Sequence, residues 1–215
     1  LAATAPGGFL ARDVAAESDV YGFADGVCAE LGLTLQVTVR EHADHLAIEG
    51  RLTNSRGGDR AILLLFALPV DAAGWTWGDD IRRRRTISGN TEFFSGTGVG
   101  CGTTGTMSLY PLGAIQDSVT GLALAIDMAQ PAVYRLVCHP AARQLLLAWD
   151  FGLVPDTTRF PNGADFRFVI YRFDPRWGFR AALDKLTGIF PDYFRVRSTN
   201  QGIWMPFTDV STVQD

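Results

Sequence analysis

Polar and apolar residues alternate along much of the chain. Leu33, Leu35, Val37 and Val39 are interleaved with Thr34, Gln36, Thr38 and Arg40. Leu46, Ile48, Gly50 and Leu52 repeat the pattern against Ala47, Glu49, Arg51 and Thr53. A repeat of two places alternate side chains on opposite faces, so both segments read as half-buried strands. The short polar break at 41–44 joins them as a hairpin. The run 61–70 is almost wholly apolar and reads as a central strand covered on both faces, ended by Pro69 and a turn.

Four further strands are predicted at 121–127, 132–138, 144–151 and 165–173, separated by turn residues such as Pro131, His139 and Pro140. Many strands punctuated by turns, without alternating helices, predict a mainly antiparallel β-sandwich rather than a parallel α/β fold. One C-terminal helix is predicted after Asp174, which can cap it, and Pro175, which suits a first turn. Phe179, Ala182, Leu183, Leu186 and Ile189 share one of its faces, and Pro191 ends it. The helix is expected to pack on the sandwich or to bridge to a following domain. The chain accordingly divides into a sandwich at 1–174 and a helix and linker at 175–215.

Composition narrows the classes. With 215 residues, 47% hydrophobic and 20% charged, the chain can bury a core without disulfide staples. A net charge of -4 lacks the basic footprint of a nucleic-acid binder, so no nucleic-acid partner is expected. Nor does any stretch approach the ~18 apolar residues of a membrane-spanning helix. Cys28, Cys101 and Cys138 form no C-x-x-C pair and read as small buried hydrophobes. The apolar group at 203–207, close to the final Asp215, predicts a continuing sequence that covers it.

The chemistry-bearing motifs are few. Gly100, Gly102 and Gly105 satisfy G-x-G-x-x-G, but the residues that follow are strand-like and Pro111 comes too early for a phosphate-binding helix. His42 and His45 share a turn without a third ligand nearby in sequence, so surface histidines are expected, and His139 has no identifiable partner. No G-x-S-x-G elbow and no calcium-loop spacing is present, and neither cofactor nor metal is expected. Trp75, Trp77, Asp79, Asp80 and Arg82, followed by Arg83–Arg84–Arg85, form the densest set. Flat aromatic faces beside planar hydrogen-bonding groups suit saccharides, which present apolar C–H faces and polar rims. The competing reading makes the tryptophans core and the charges the guard of an edge strand. Neighbouring residues on a strand point to opposite faces, so Asp79 and Asp80 are not expected to act as an acid/base pair on one substrate.

Several stretches taken in order resemble a known domain type. They are GFLARDV at 8–14, LPVDAAGWTW at 68–77, YPLGAI at 110–115, GLALAI at 121–126, DFGL at 150–153, WGFRAA at 177–182 and GIWMPF at 202–207. Together they resemble the galactose mutarotase-like β-supersandwich that precedes the catalytic barrel in several glycoside hydrolase groups. The resemblance implies a non-catalytic N-terminal domain of a carbohydrate-active enzyme, with the downstream catalytic domain of the same chain as partner and an oligosaccharide or polysaccharide as ligand. It carries over no catalytic residue, because such enzymes place their two carboxylates in the barrel. The histidine and glutamate of true mutarotases have no match here. The segments 75–85 and 96–105 are the candidates for sugar contact. Two alternatives remain: a free-standing carbohydrate-binding module stacking sugar on Trp75, Trp77 or Trp149, and a purely structural or protein-interaction sandwich.

Overall fold

The computed structural model describes residues 7–96, 110–130, 132–158 and 161–197. Among these, the strands are β1 (Gly8–Asp13), β2 (Tyr21–Gly22), β3 (Val27–Cys28), β4 (Leu33–Glu41), β5 (His45–Asn54), β6 (Arg60–Pro69) and β7 (Thr76–Asp80). They continue with β8 (Arg83–Thr86), β9 (Phe93–Gly96), β10 (Leu112–Gln116), β11 (Gly121–Ile126), β12 (Val133–His139), β13 (Gln144–Leu153) and β14 (Gly163–Phe173). Two antiparallel sheets result, a six-stranded one in the order β2-β1-β6-β13-β12-β9 and an eight-stranded one in the order β3-β4-β5-β14-β11-β10-β7-β8. The glycine motif at 100–105, Cys101 and the apolar tail at 203–207 lie outside the described residues.

The alternation decides which face of each sheet turns inward. Ile62, Leu64, Leu147 and Trp149 from the six-stranded sheet meet Leu52, Leu124, Phe166 and Phe168 from the other in one buried cluster. The Trp149 indole packs tilted against Phe166 at 5.1 Å and edge-on against Phe168 at 5.5 Å. Each large side chain removed from water in this way contributes about 1.5–3 kcal/mol. Strand β6 runs between β1 and β13, and its outer Leu65 and Ala67 are buried as well as its inner Ile62 and Leu64. The uninterrupted apolar run therefore does mark a strand covered on both faces. The predicted hairpin forms with β4 and β5 in register from Leu33 with Asn54 to Glu41 with Leu46.

One ion pair is taken inside. Arg60 Nε donates to Asp13 Oδ2 at 2.5 Å, and its other nitrogens reach Asn54 Oδ1 at 3.0 Å and the Leu31 carbonyl at 3.1 Å. This fan of donors keeps a buried carboxylate and guanidinium compensated where β1, β5 and β6 end. Cys28 and Cys138 are both buried free thiols, and burial pushes the Cys138 thiol up to about 11.

The helix differs from expectation at its start. Asp174 does cap, accepting from the Arg176 backbone N–H at 3.0 Å, but what it caps is a 3₁₀ turn at Pro175–Trp177. Gly178 then takes φ 61°, a left-handed value that breaks the turn, and α1 (Phe179–Ile189) begins after it. The apolar stripe faces the sheet as its spacing predicts: Phe179, Ala182 and Leu186 are buried with Leu112, Ala114, Ala123, Ala125, Val169, Tyr171 and Phe173. Helix α1 thus covers the outer face of the eight-stranded sheet, and the Tyr171 hydroxyl donates to the Ala182 carbonyl at 2.9 Å.

Candidate functional site

The segment 75–85 folds as a strand, a tight turn and an edge strand. Alternation splits it between two surfaces. Trp77 and Asp79 point into the sandwich, while Thr76, Gly78 and Asp80 face outward toward α1. Trp77 is 0% exposed, so it offers no face to a sugar; Trp149, at 1%, offers none either. Trp75 is half-buried and packs against the same core. A sandwich that must fill the space between two sheets draws in its largest apolar side chains, and that demand overrides the local resemblance to a binding platform.

Asp79 is buried too, and Arg85 Nη2 donates to its Oδ2 at 2.5 Å. The Arg85 guanidinium lies 5.7 Å from the centre of the Phe93 ring. This inward-facing pair ties the edge strand β8 to β7 across an irregularity in their register. Asp80 spends its Oδ1 on the backbone N–H of Arg82, at 2.6 Å, closing the turn. Asp79 and Asp80 therefore stand on opposite faces with separate structural partners, as the strand rule requires.

The outward side is where functional groups converge. A cleft of about 370 Å³ lies between the β7–β8 edge and the start of α1, within the usual range of ligand sites, about 300–1,000 Å³. Asp80, Ile81, Arg82, Arg83 and Arg84 form one wall; Trp177, Phe179 and Arg180 form the other, with Gln116 between them. Gly78 lies under the helix start: a Cβ there would come within 3.1 Å of the Phe179 ring, a tight contact that would push Phe179 back by a few tenths of an ångström. Phe179 is fixed on its other side by an edge contact with Tyr110 at 5.3 Å.

Trp177 is 66% exposed at the lip of the cleft. The main chain around it is held in three ways. Gln116 Nε2 donates to the Pro175 carbonyl at 2.9 Å. Arg176 donates to both carboxylate oxygens of Asp174, at 3.0, 3.0 and 2.6 Å, which holds the Asp174 carboxyl below its usual range. Gly178 supplies the backbone reversal. These contacts fix the main chain that carries the indole and leave the ring open to solvent at the lip.

Of the five residues singled out in sequence, the cleft brings together Asp80 and Arg82, while Trp77 and Asp79 lie behind it in the core and Trp75 packs against that core. Sequence reasoning missed Trp177, Arg180 and Gln116 as site residues. A signal for Trp177 exists: it precedes a glycine and lies outside the apolar stripe of the helix. Its meeting with Arg82 across nearly a hundred residues is set by tertiary packing alone.

Other concavities differ in character. Beside the β4–β5 hairpin, Arg40, His42, His45, Glu49 and Arg167 line a second hollow, but there Glu49 pairs with both Arg40 and Arg167. His42 and His45 stack ring on ring at 4.3 Å, and His45 Nδ1 lies 2.8 Å from Asp44 Oδ1. Among the described residues no set of three such groups is arranged to hold a metal ion. His139, contrary to the sequence reading, does have partners: its Nδ1 accepts from the Ala142 N–H at 3.1 Å and its Nε2 lies 3.5 Å from Glu92. Compared with known proteins, no protein-family model and no curated protein matches the chain.

Proposed function

We propose that the chain is a β-sandwich domain of a carbohydrate-active enzyme, a glycoside hydrolase, that supports a catalytic domain and contacts saccharide through the cleft between β8 and α1. The observation that carries the reading is Trp177, an exposed indole that lines one cleft with Arg82, Arg83, Arg84 and Arg180. An aromatic plane takes the apolar C–H face of a sugar ring, and guanidinium forks take oxygens around its rim. The resemblance of the ordered stretches to the galactose mutarotase-like supersandwich supports the same assignment. In this reading the acid and base of the reaction belong to the downstream domain.

Calorimetric titration of the purified chain with a panel of oligosaccharides tests the proposal. Binding is expected, and Trp177→Ala is expected to weaken it about tenfold, as loss of one ring contact does. Because Trp177 is exposed, the variant should unfold at the same urea concentration as the parent chain. Saccharide binding untouched by Trp177→Ala, or hydrolysis of glycosides by the chain alone, would show the proposal to be wrong.

A further inference from the structure

We infer that the saccharide taken by this cleft is anionic, bearing carboxylate or sulfate groups. The inference rests on the saccharide reading above and adds its charge. It starts from an imbalance. The chain as a whole is acidic, with a net charge of -4. On the same outer sheet face, arginines are matched: Arg51 with Asp165 at 2.8 Å, Arg167 with Glu49 at 3.7 Å, and Arg40 with Glu49. In the cleft they are not. Arg82, Arg83, Arg84 and Arg180 all line it, and none has a carboxylate partner within 4 Å among the described residues. The one acid there, Asp80, offers a single negative charge against four positive ones, and its Oδ1 is engaged by the turn's own backbone.

Protection of an edge strand explains charges on β8 but not this arrangement. Arg180 comes from another element, the first turn of α1, and reaches the same cleft. A cation there also sits at the positive end of the helix dipole, where an acidic residue would be the stabilising choice. Four like charges gathered from two elements repel one another in the free protein, and a bound anion relieves that repulsion. Guanidinium forks match the planar geometry of a carboxylate and the oxygens of a sulfate, two donors to two acceptors. The indole of Trp177 beside them is what a bare phosphate or an acidic peptide would leave unused. A sugar ring carrying an acid occupies both halves of the cleft.

The experiment titrates the chain with an oligogalacturonate, with its fully methyl-esterified form of the same backbone, with a sulfated oligosaccharide, and with polyglutamate. The acid form should bind at least about tenfold more tightly than the ester, since charge-assisted hydrogen bonds are roughly twice as strong as neutral ones. Its affinity should fall as salt rises from about 0.1 M to about 1 M and the screening length shrinks from about 10 Å to about 3 Å. Binding of the sulfated ligand in preference to the uronate supports the inference and assigns the anion as sulfate. Arg82→Gln with Arg180→Gln should abolish the preference for the acid, whereas Arg51→Gln, on a paired arginine elsewhere, should leave it. Equal binding of acid and ester would overturn the anionic inference and leave the saccharide reading standing. Polyglutamate binding as tight as oligogalacturonate and indifferent to Trp177→Ala would overturn both, as would the absence of binding by every saccharide.

Discussion

Leu186→Ala tests whether helix α1 belongs to the body of the sandwich. Leu186 is 0% exposed and sits in the cluster that the helix makes with the outer face of the eight-stranded sheet. Truncation removes three carbons, about 2.4 kcal/mol at roughly 0.8 kcal/mol for each buried methylene. The floor beneath contributes Ala114, Ala123 and Ala125, whose methyl groups are fixed to strands and cannot extend into the vacated space. A cavity therefore persists and adds about 1 kcal/mol, giving about 3.5 kcal/mol in all. For a chain of this size that is a fall in Tm of about 7–14 °C. Urea unfolding followed by tryptophan fluorescence, with calorimetric Tm, measures it. Leu183→Ala, on a half-buried neighbour, should cost clearly less. A loss under about 1 kcal/mol for Leu186→Ala would mean that the helix is not docked on the sheet, and the cleft it completes would lose its second wall.

Two further predictions concern the backbone and the acid limb. Gly178→Ala should destabilise by about 1–3 kcal/mol and weaken saccharide binding, because φ 61° is strained for alanine and the new Cβ would lie 3.2 Å from Gln116 Oε1. Gly188→Ala, at an exposed position of the helix with nothing within 4 Å, should instead raise stability by about 0.5–1 kcal/mol; thermal melts showing the same sign for both would refute the account. Asp44, Asp117 and Asp174 are held below the ordinary carboxylate range, Asp117 chiefly by backbone N–H donation from Thr120 at 2.6 Å and Val119 at 2.8 Å. A depressed native value means the unfolded chain takes up the proton first, so stability is full above about pH 4 and falls below it. The urea midpoint should drop between pH 6 and pH 3, and Asp117→Ala should shrink that drop; an unchanged midpoint would contradict it.

Much of the fold was legible because two simple periods carry it. The alternation at 33–53 and the apolar run at 61–70 became β4, β5 and β6 with ends shifted by about one residue, since cross-strand pairing and side-chain period have the same cause. The strands β1 to β3 and β7 to β10 carry no clear period. Each is short, and β7 reads Thr-Trp-Gly-Asp-Asp, a sequence with the low strand preference of Gly and Asp whose extended form is imposed by β10 on one side and β8 on the other. At the helix start the same competition appears. Asp174 and Pro175 were read as its cap, but Gly178 moved the start to Phe179. The candidate site was legible only in its β7–β8 half. The tryptophans near β7 do not line the cleft, because size sends Trp77 inward, while Trp177, displaced from the apolar stripe, is left outside.

That exchange of one tryptophan for another changes what the helix is for. A division at residue 174 would separate the arginines of β8 from Trp177 and Arg180, although the cleft needs both walls. The burial of Phe179, Ala182 and Leu186 is then more than a contribution to stability: it fixes the distance between an aromatic plane and a set of cations. Gly78 and Gly178 act on the same distance, one by letting the helix start settle close to the sheet, the other by turning the chain so that Trp177 stays outside while Phe179 goes in. Ligand binding and helix docking should therefore be coupled, each favouring the other by the same free energy. A ligand of the cleft should raise the unfolding temperature in proportion to its occupancy, and a loosened helix should weaken binding without touching a residue that contacts the ligand.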